Sequence, residues 1–268
     1  MKIIFFGDIV GRAGIEAVRE SLDFLKGNFN PDFLICNGEN VSNGKGIIEK
    51  DYDELVSLGI NCITLGNHYR SKQQIDKFID KAALLVRPLN LNSYSKGEGS
   101  RVFEVNGTKV RVSNVLGSAF MNEVVPSAID YIEEIVNLGD RCIHIVDFHA
   151  ESSSEKRIFA TFFDGKVSAV IGTHTHVQTN DNLILKGGTG FITDVGLCGA
   201  ADSIIGFNNK SCIDKTIYGV GHMVVEDEGP RIINCVYLEI DEDSKQTKEI
   251  KKIKLVNGRE IKDESLHL

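Results

Sequence analysis

The histidines His174 and His176 stand one residue apart in VIGTHTHVQT, residues 170–179, just past the strand-like run VSAVIG. Period-two spacing puts both imidazoles on one side of an extended chain, which suits a pair of metal ligands. The plainer reading is two strand-end histidines satisfied by backbone groups or water, and the pair alone does not decide. Other donors share the placement. Asp8 follows IIFF and Gly7; Glu39 and Asn40 follow FLIC; Asn67 and His68 follow CITL and Gly66; His149 follows CIHIVDF. Ligands of α/β sheets bind at that carboxyl edge, and glycine beside the donors permits sharp turns and close backbone approach.

Each residue also has a structural reading. Asp8 would cap a helix starting near Arg12, Glu39 and Asn40 would be turn residues, Asn67 would hold a left-handed turn, and His149 would be a satisfied core or surface histidine. Independent turn residues have no reason to collect as carboxylates, amides and histidines at successive strand ends. A donor set of carboxylate, carboxamide and imidazole without thiolate argues against a zinc ribbon or iron–sulfur cluster and favours Mn, Fe or a mixed Zn/Fe pair. Seven such residues suit two ions sharing a bridge, with Glu39 as the bridging candidate. Two divalent ions against two carboxylates leave positive charge, which suits an anionic phosphate substrate.

The elements that must position these residues alternate. KIIFF, FLIC and NCITL read as strands. Between and after them RAGIEAVRESLDFLKGNF, IIEKDYDELVSLG and KQQIDKFIDKAALL read as helices, the first with Ile15, Val18, Leu22 and Leu25 on one face. This βαβαβ order predicts a largely parallel sheet. RVFEV and TKVRVSNVL are joined across Asn106-Gly107, a hairpin signal. PSAIDYIEEIVNL and SEKRIFATFF read as helices, and CIHIVDF, VSAVIG and GFITDVG as strands. YGVGHMVVE and RIINCVYLEI read as strands around a Glu228-Gly229-Pro230 turn, and KEIKKIKLVNGREIKDE as a closing strand with a charged tail. The polar stretch NLNSYSKGEGS, residues 90–100, is expected to be a mobile loop. No linker or repeat divides the 268 residues, so one domain over 1–268 is expected, with two mixed β-sheets flanked by helices.

Composition excludes several classes. The formal net charge of −8 argues against bulk nucleic-acid binding. The N-terminal apolar run is too short for a signal-peptide core, and no 18-residue apolar run exists for a membrane span, so a cytoplasmic location is expected. The six cysteines show no C-x-x-C pair and read as free thiols. There is no G-x-x-x-x-G-K-[ST], no G-x-G-x-x-G and no G-x-S-x-G elbow around Ser152–Ser154.

The series GD…GEN…GNH…DFHAE…GTHTHVQT resembles the metallophosphoesterase superfamily, and more closely its YmdB-like branch; NGENVSNGKG, VRPLN, HAESSSEK and TDVG match as well. The resemblance implies an α/β calcineurin-like sandwich and hydrolysis of a 2′,3′-cyclic nucleotide. It implies two transition-metal ions per chain, one held by Asp8, Glu39, Asn40 and His176, the other by Glu39, Asn67, His149 and His174. A metal-bound hydroxide would attack phosphorus, and His68 would be the acid for the leaving ribose oxygen, or else a hydrogen-bond donor to the phosphate. Three departures stand out. The superfamily's D-x-H reads Asp8-Ile9-Val10. Its bridging Asp is Glu39, followed by Asn40. The branch's aromatic-acidic pair after GNH is replaced in Tyr69-Arg70-Ser71, which leaves the substrate rim open. Asp147 and Glu151 are candidates for orienting ligands, and Arg12 is a surface residue or an anion contact. The expected partner is a small phosphodiester, a cyclic nucleotide or short RNA end, in a homo-oligomer. A phosphomonoesterase or nucleotidase is the rival enzyme, and a regulatory nucleotide- or partner-binding protein that keeps the metal site is the rival of another class.

Overall fold

Apolar runs become strands and amphipathic segments pack outside them in a computed structural model that describes residues 1–91 and 95–261. The chain opens with β1 (Lys2–Ile9), α1 (Gly11–Phe29), β2 (Phe33–Asn37), α2 (Glu49–Ser57), β3 (Cys62–Thr64), α3 (Ile75–Phe78) and β4 (Leu85–Val86). Next come β5 (Ser100–Val105), β6 (Thr108–Leu116), α4 (Ala128–Asn137), β7 (Ile143–His149), α5 (Ser153–Phe162) and β8 (Ala169–Thr173). Short strands β9 (Leu183–Ile184), β10 (Gly190–Ile192) and β11 (Leu197–Ala200) lead to α6 (Asn209–Tyr218). The long antiparallel strands β12 (Arg231–Ile240) and β13 (Thr247–Val256) and the short β14 (Arg259–Glu260) close it.

Among the described residues the strands form two sheets, ordered β14-β13-β12-β11-β1-β2-β3-β4 and β5-β6-β7-β8-β10-β9. Both are mixed. β1 to β4 run parallel, as do β6, β7, β8 and β10, with antiparallel strands at the edges. Three apolar cores separate four layers. The predicted face of α1 (Ile15, Val18, Leu22, Leu25) packs on Phe6 and Cys36; Phe5, Ile35, Ile145 and Ile171 fill the space between the sheets; Ile132, Phe159 and Phe163 cover Phe148. Fully burying such side chains contributes roughly 1.5–3 kcal/mol each. Residues at the ends of β2 and β3 touch residues at the end of β7, Asn37 meeting Asp147 and Asn67 meeting His149, so the parallel strands of both sheets end at one common edge.

The Asn106-Gly107 hairpin forms as predicted, with φ of 50° and 81°, the pair of positive values a type I′ turn needs. Two segments differ from their sequence reading. KQQIDKFIDKAALL keeps only α3 as helix, because Leu85 and Val86 pair with Ile63 and Thr64 and so continue the sheet; sheet pairing here outweighs helix propensity. YGVGHMVVE is not a strand. Its Tyr218 ends α6, Gly219 closes that helix in the left-handed conformation, and Val225 makes only an isolated bridge with Phe207. The Asn208 side chain that accepts from Ser211 N–H at the start of α6, and the glycine at its end, were signals available in the sequence. Five cysteines are buried, Cys142 is half-buried, and all six are free. Residues 92–94 of the expected mobile loop and 262–268 of the charged tail lie outside the described residues.

Candidate metal centre

Every sequence-predicted donor reaches the common strand edge. Asp8 lies near the end of β1, Glu39 and Asn40 just past β2, Asn67 and His68 past β3, His149 at the end of β7, and His174 and His176 past β8. Asp8 caps no helix: Val10 is the N-cap of α1 and makes no side-chain cap, and the Ala13 N–H goes to Asp227 Oδ1 at 3.0 Å. Two glycines permit the close approach. A Cβ on Gly7 would sit 1.8 Å from the Gly196 carbonyl oxygen, where β1 shifts register between Phe6 and Asp8. One on Gly66 would meet Glu39 Oε2 at 2.3 Å and His149 Nε2 at 2.5 Å.

The hydrogen bonds assign the imidazole tautomers. Thr173 Oγ1 donates to Asp147 Oδ1 at 2.7 Å and therefore accepts from His149 Nδ1 at 2.9 Å. That leaves the lone pair of His149 Nε2 facing the centre, where Glu39 Oε1, Asn67 Oδ1 and His174 Nδ1 each stand 3.0 Å away. His174 Nε2 lies 3.2 Å from Glu151 Oε2, and its Nδ1 faces His149 Nε2. His176 Nδ1 donates to the Ile205 carbonyl at 2.8 Å, and its Nε2 faces Asn40 Oδ1 at 3.3 Å. The Asn40 amide nitrogen is used by Gly44 O, which fixes that orientation. Asp8 Oδ2 takes the His174 N–H at 3.2 Å, while Asp8 Oδ1 is buried without a hydrogen-bond partner. Acceptors thus converge on acceptors. Each bare buried acceptor costs about 1–3 kcal/mol, and a cation is what such an arrangement fits. Glu39, His149 and His174 each offer a ligand atom within 4.8 Å of the others.

Electrostatics point the same way. Burial, and then the charges of Asp194, Glu39 and Asp147, hold the Asp8 carboxyl well above the usual range; burial raises Glu39 too. Burial holds His149 well below the ordinary imidazole value, and burial followed by the His149 charge lowers His174 to about 4. The imidazoles are therefore neutral at neutral pH, as ligation requires.

His174 and His176 do not share one side of an extended chain, as their spacing predicted: their φ values are 107° and 65°. Side chains at positive φ cost of order 1–3 kcal/mol each, and surrounding contacts must hold them. Here Asp194 Oδ2 takes the Thr175 N–H at 3.0 Å, and Lys156 Nζ binds both Asp194 at 2.9 Å and the Thr173 carbonyl at 2.8 Å. The strained loop turns His174 toward His149 and His176 toward Asn40. Sequence reasoning gave Lys156 and Asp194 no role. A lysine on the stripe Lys156, Phe159, Ala160, Phe163 was the available signal, since a cation on a buried face needs a partner.

Asp147, raised to about 7 by burial, lies under His149 and takes bonds from Thr64, Thr173 and Asn37. Arg12 is a surface residue, bound to Glu16 and Glu54. His68 is half-buried; its N–H donates to Glu39 Oε2 at 2.8 Å, and Ser71 Oγ lies 3.4 Å from its Nδ1. Glu123 Oε1, from the 117–127 segment, takes the Asn67 amide at 3.3 Å and was not anticipated.

Two mixed sheets flanked by helices, with these donors at their shared edge, define a calcineurin-like metallophosphoesterase fold. A Staphylococcus aureus protein assigned as a 5′-nucleotidase shares it, with a TM-score of 0.62 at 14% identity over 99% of this chain and 55% of the other. The chain belongs to the YmdB-like protein family, whose model matches residues 4–253. A Bacillus subtilis 2′,3′-cyclic-nucleotide 2′-phosphodiesterase is 39% identical over 96% of this chain and 97% of its own length. The crystal structure of a Mycoplasma pneumoniae phosphatase superposes with a TM-score of 0.89 at 38% identity, covering 96% of this chain and 93% of that one.

Proposed function

We propose that the chain is a metal-dependent phosphodiesterase that opens 2′,3′-cyclic nucleotides. The carrying observation is the group of lone pairs around His149 Nε2, an arrangement that suits a cation. Glu39, Asn67, His149 and His174 would hold one ion, and Asp8, Glu39, Asn40 and His176 a second. The unpartnered Asp8 Oδ1 and the facing Asn40 and His176 acceptors support the second. The donor types favour Fe or Mn, with Zn accepted. When bound, the ions supply Lewis acidity at the phosphoryl oxygens and lower the pKa of water.

The chain's own residues do the rest. Thr173 and the Ile205 carbonyl fix which nitrogen His149 and His176 present, a positioning that typically changes metal affinity by about 10–100-fold. Hydrolysis adds water across one P–O bond: phosphorus gains the oxygen, the ring opens, and the ribose oxygen takes a proton. His68 is the donor of that proton, with Ser71 steadying the ring; such donation is worth about 10²–10⁴-fold. The reading treats residues 1–268 as one domain, since both sheets build the middle core. It also includes self-association, supported by the exposed Ile213, Ile217 and Tyr218 of α6, with light scattering as the check. No described helix is long and apolar enough to cross a membrane.

The test is metal content of the purified protein together with hydrolysis of 2′,3′-cAMP by wild type and Asn67→Ala. About two transition-metal ions per chain, with turnover lost in the variant, is the expected result. No bound metal and no turnover after Mn or Fe is supplied would sink the reading, and preference for a matched monoester would replace it with a phosphomonoesterase.

A further inference from the structure

On the flank of Asn40 and His68, two clefts of about 390 and 610 Å³ meet at Gln74. The first is lined by Val41 and Ser42, which directly follow Asn40, and by Lys50 and Lys72. The second is lined by Arg70, two residues past His68, and by Lys77. The stem of Lys72 lies against Gly46, where an added Cβ would meet its Cγ at 2.8 Å, and the Gly46 N–H donates to the Glu39 carbonyl. The clefts therefore begin beside the residues that build the centre.

Their charge is opposite to that of the chain. Among the described residues Lys50, Lys72 and Lys77 make no ion pair, and Arg70 approaches Asp76 only at 3.9 Å. Asp51, the carboxylate of the first cleft, is occupied by the Ser42 hydroxyl. Five cations and two carboxylates line the clefts; with Arg12 held by Glu16 and Glu54, four cations against two carboxylates make a local positive patch in a chain of formal net charge −8. Ser42, Gln73 and Gln74 add neutral donors of the kind that position a sugar-phosphate backbone.

We propose that these clefts hold the phosphodiester that precedes the reacting group, so that the preferred substrate is an RNA 3′ end carrying a 2′,3′-cyclic phosphate. The inference rests on the phosphodiesterase reading and adds a strand to it. A cyclic phosphate occupies both ribose hydroxyls, so the strand continues only through the 5′ oxygen. The preceding phosphate then lies one nucleoside from the reacting phosphorus, where a free mononucleotide has nothing to offer these cations. A track this short suits a single-stranded end and leaves the acidic remainder of the surface to repel duplexes.

The experiment compares kcat/KM on 2′,3′-cAMP and on a tetranucleotide ending in a 2′,3′-cyclic phosphate, from 50 to 200 mM salt, for wild type and Arg70→Ala/Lys72→Ala. Wild type is expected to prefer the tetranucleotide by about tenfold, the equivalent of one charge-assisted hydrogen bond. One phosphate contact on a single strand gives a log–log salt slope of about −0.7. In the double variant both the preference and the slope should collapse. Equal kcat/KM on the two substrates in wild type, or a preference untouched by the double variant, overturns the proposal. If the metal-loaded protein hydrolyses neither, the phosphodiesterase reading fails by itself. Fluorescence anisotropy with the labelled tetranucleotide then decides the clefts: salt-sensitive binding lost in the double variant supports them, and absent or unchanged binding rejects them.

Discussion

Beneath the donors, Asn37, Thr64, Asp147 and Thr173 are fully buried and hydrogen-bonded to one another, and Lys156 and Asp194 form a buried ion pair beside them. At the exposed apolar surface the opposite holds. Phe120 is 87% exposed, and Val124, Ile217, Tyr218 and Val220 also stand largely in solvent. A buried polar group that loses its partner leaves the other unsatisfied, so one change in the floor propagates to the ligands above it. A side chain on the rim has few neighbours to disturb. The donors are therefore held by the floor, while exposed Arg70 and Ser71 have fewer partners to lose; Tyr69 beside them is buried, its hydroxyl donating to the Lys96 carbonyl at 2.8 Å.

The sharpest way to break this contrast is Lys156→Met. It strands the Asp194 carboxylate in a buried site, at an expected cost of about 3–5 kcal/mol, and releases the loop bearing His174 and His176. Thermal unfolding should show the loss, and Lys156→Met/Asp194→Leu should recover part of it because neither charge then remains buried. A wild-type Tm in the single variant would show that the floor tolerates an unpaired charge.

A smaller effect comes from His144, buried away from the centre, bonded to Ser113 Oγ at 2.9 Å and lowered to about 3 by burial and then by Arg111. Its folded value lies below the unfolded one of about 6.5. The stability it allows is complete above 6.5 and is lost as pH falls toward 3, because only the unfolded chain takes up the proton. Wild type should lose stability relative to His144→Asn by about 1.4 kcal/mol per pH unit in that window. Urea unfolding at pH 7, 5.5 and 4.5 measures it, and parallel pH curves for the two proteins would show that this histidine protonates in the fold. The smallest expected effect is Phe120→Ser, which should leave stability within about 0.5 kcal/mol. A larger shift in urea midpoint would place the 117–127 segment in the core and blur the contrast from the rim side.

Strand ends, the α1 face and the Asn106-Gly107 turn were legible because each is written in a few neighbouring residues. The helix over 72–85 was misread where a distant partner intervened, β3 claiming Leu85 and Val86; the strand over 218–226 was misread because the local cap signals of α6, Asn208 and Gly219, were passed over. At the centre, residue type and position beside each strand end were enough to nominate Asp8, Glu39, Asn40, Asn67, His149, His174 and His176. They were not enough to place His174 and His176 on their actual backbone.

The sequence by itself determined which donors exist and that they sit at the ends of strands, because β-strand and glycine-turn signals are local. Only the tertiary structure decided which nitrogen each imidazole presents and what holds the strained turn at residues 174–176. It also brought Lys72 against Gly46, whose N–H donates to the Glu39 carbonyl. Those outcomes depend on partners such as Asp194, 38 residues from Lys156, and Asp227, 214 residues from Ala13. Hydrogen bonds and charges act through space over a few ångströms, and separation along the chain does not encode that distance until the two sheets have packed.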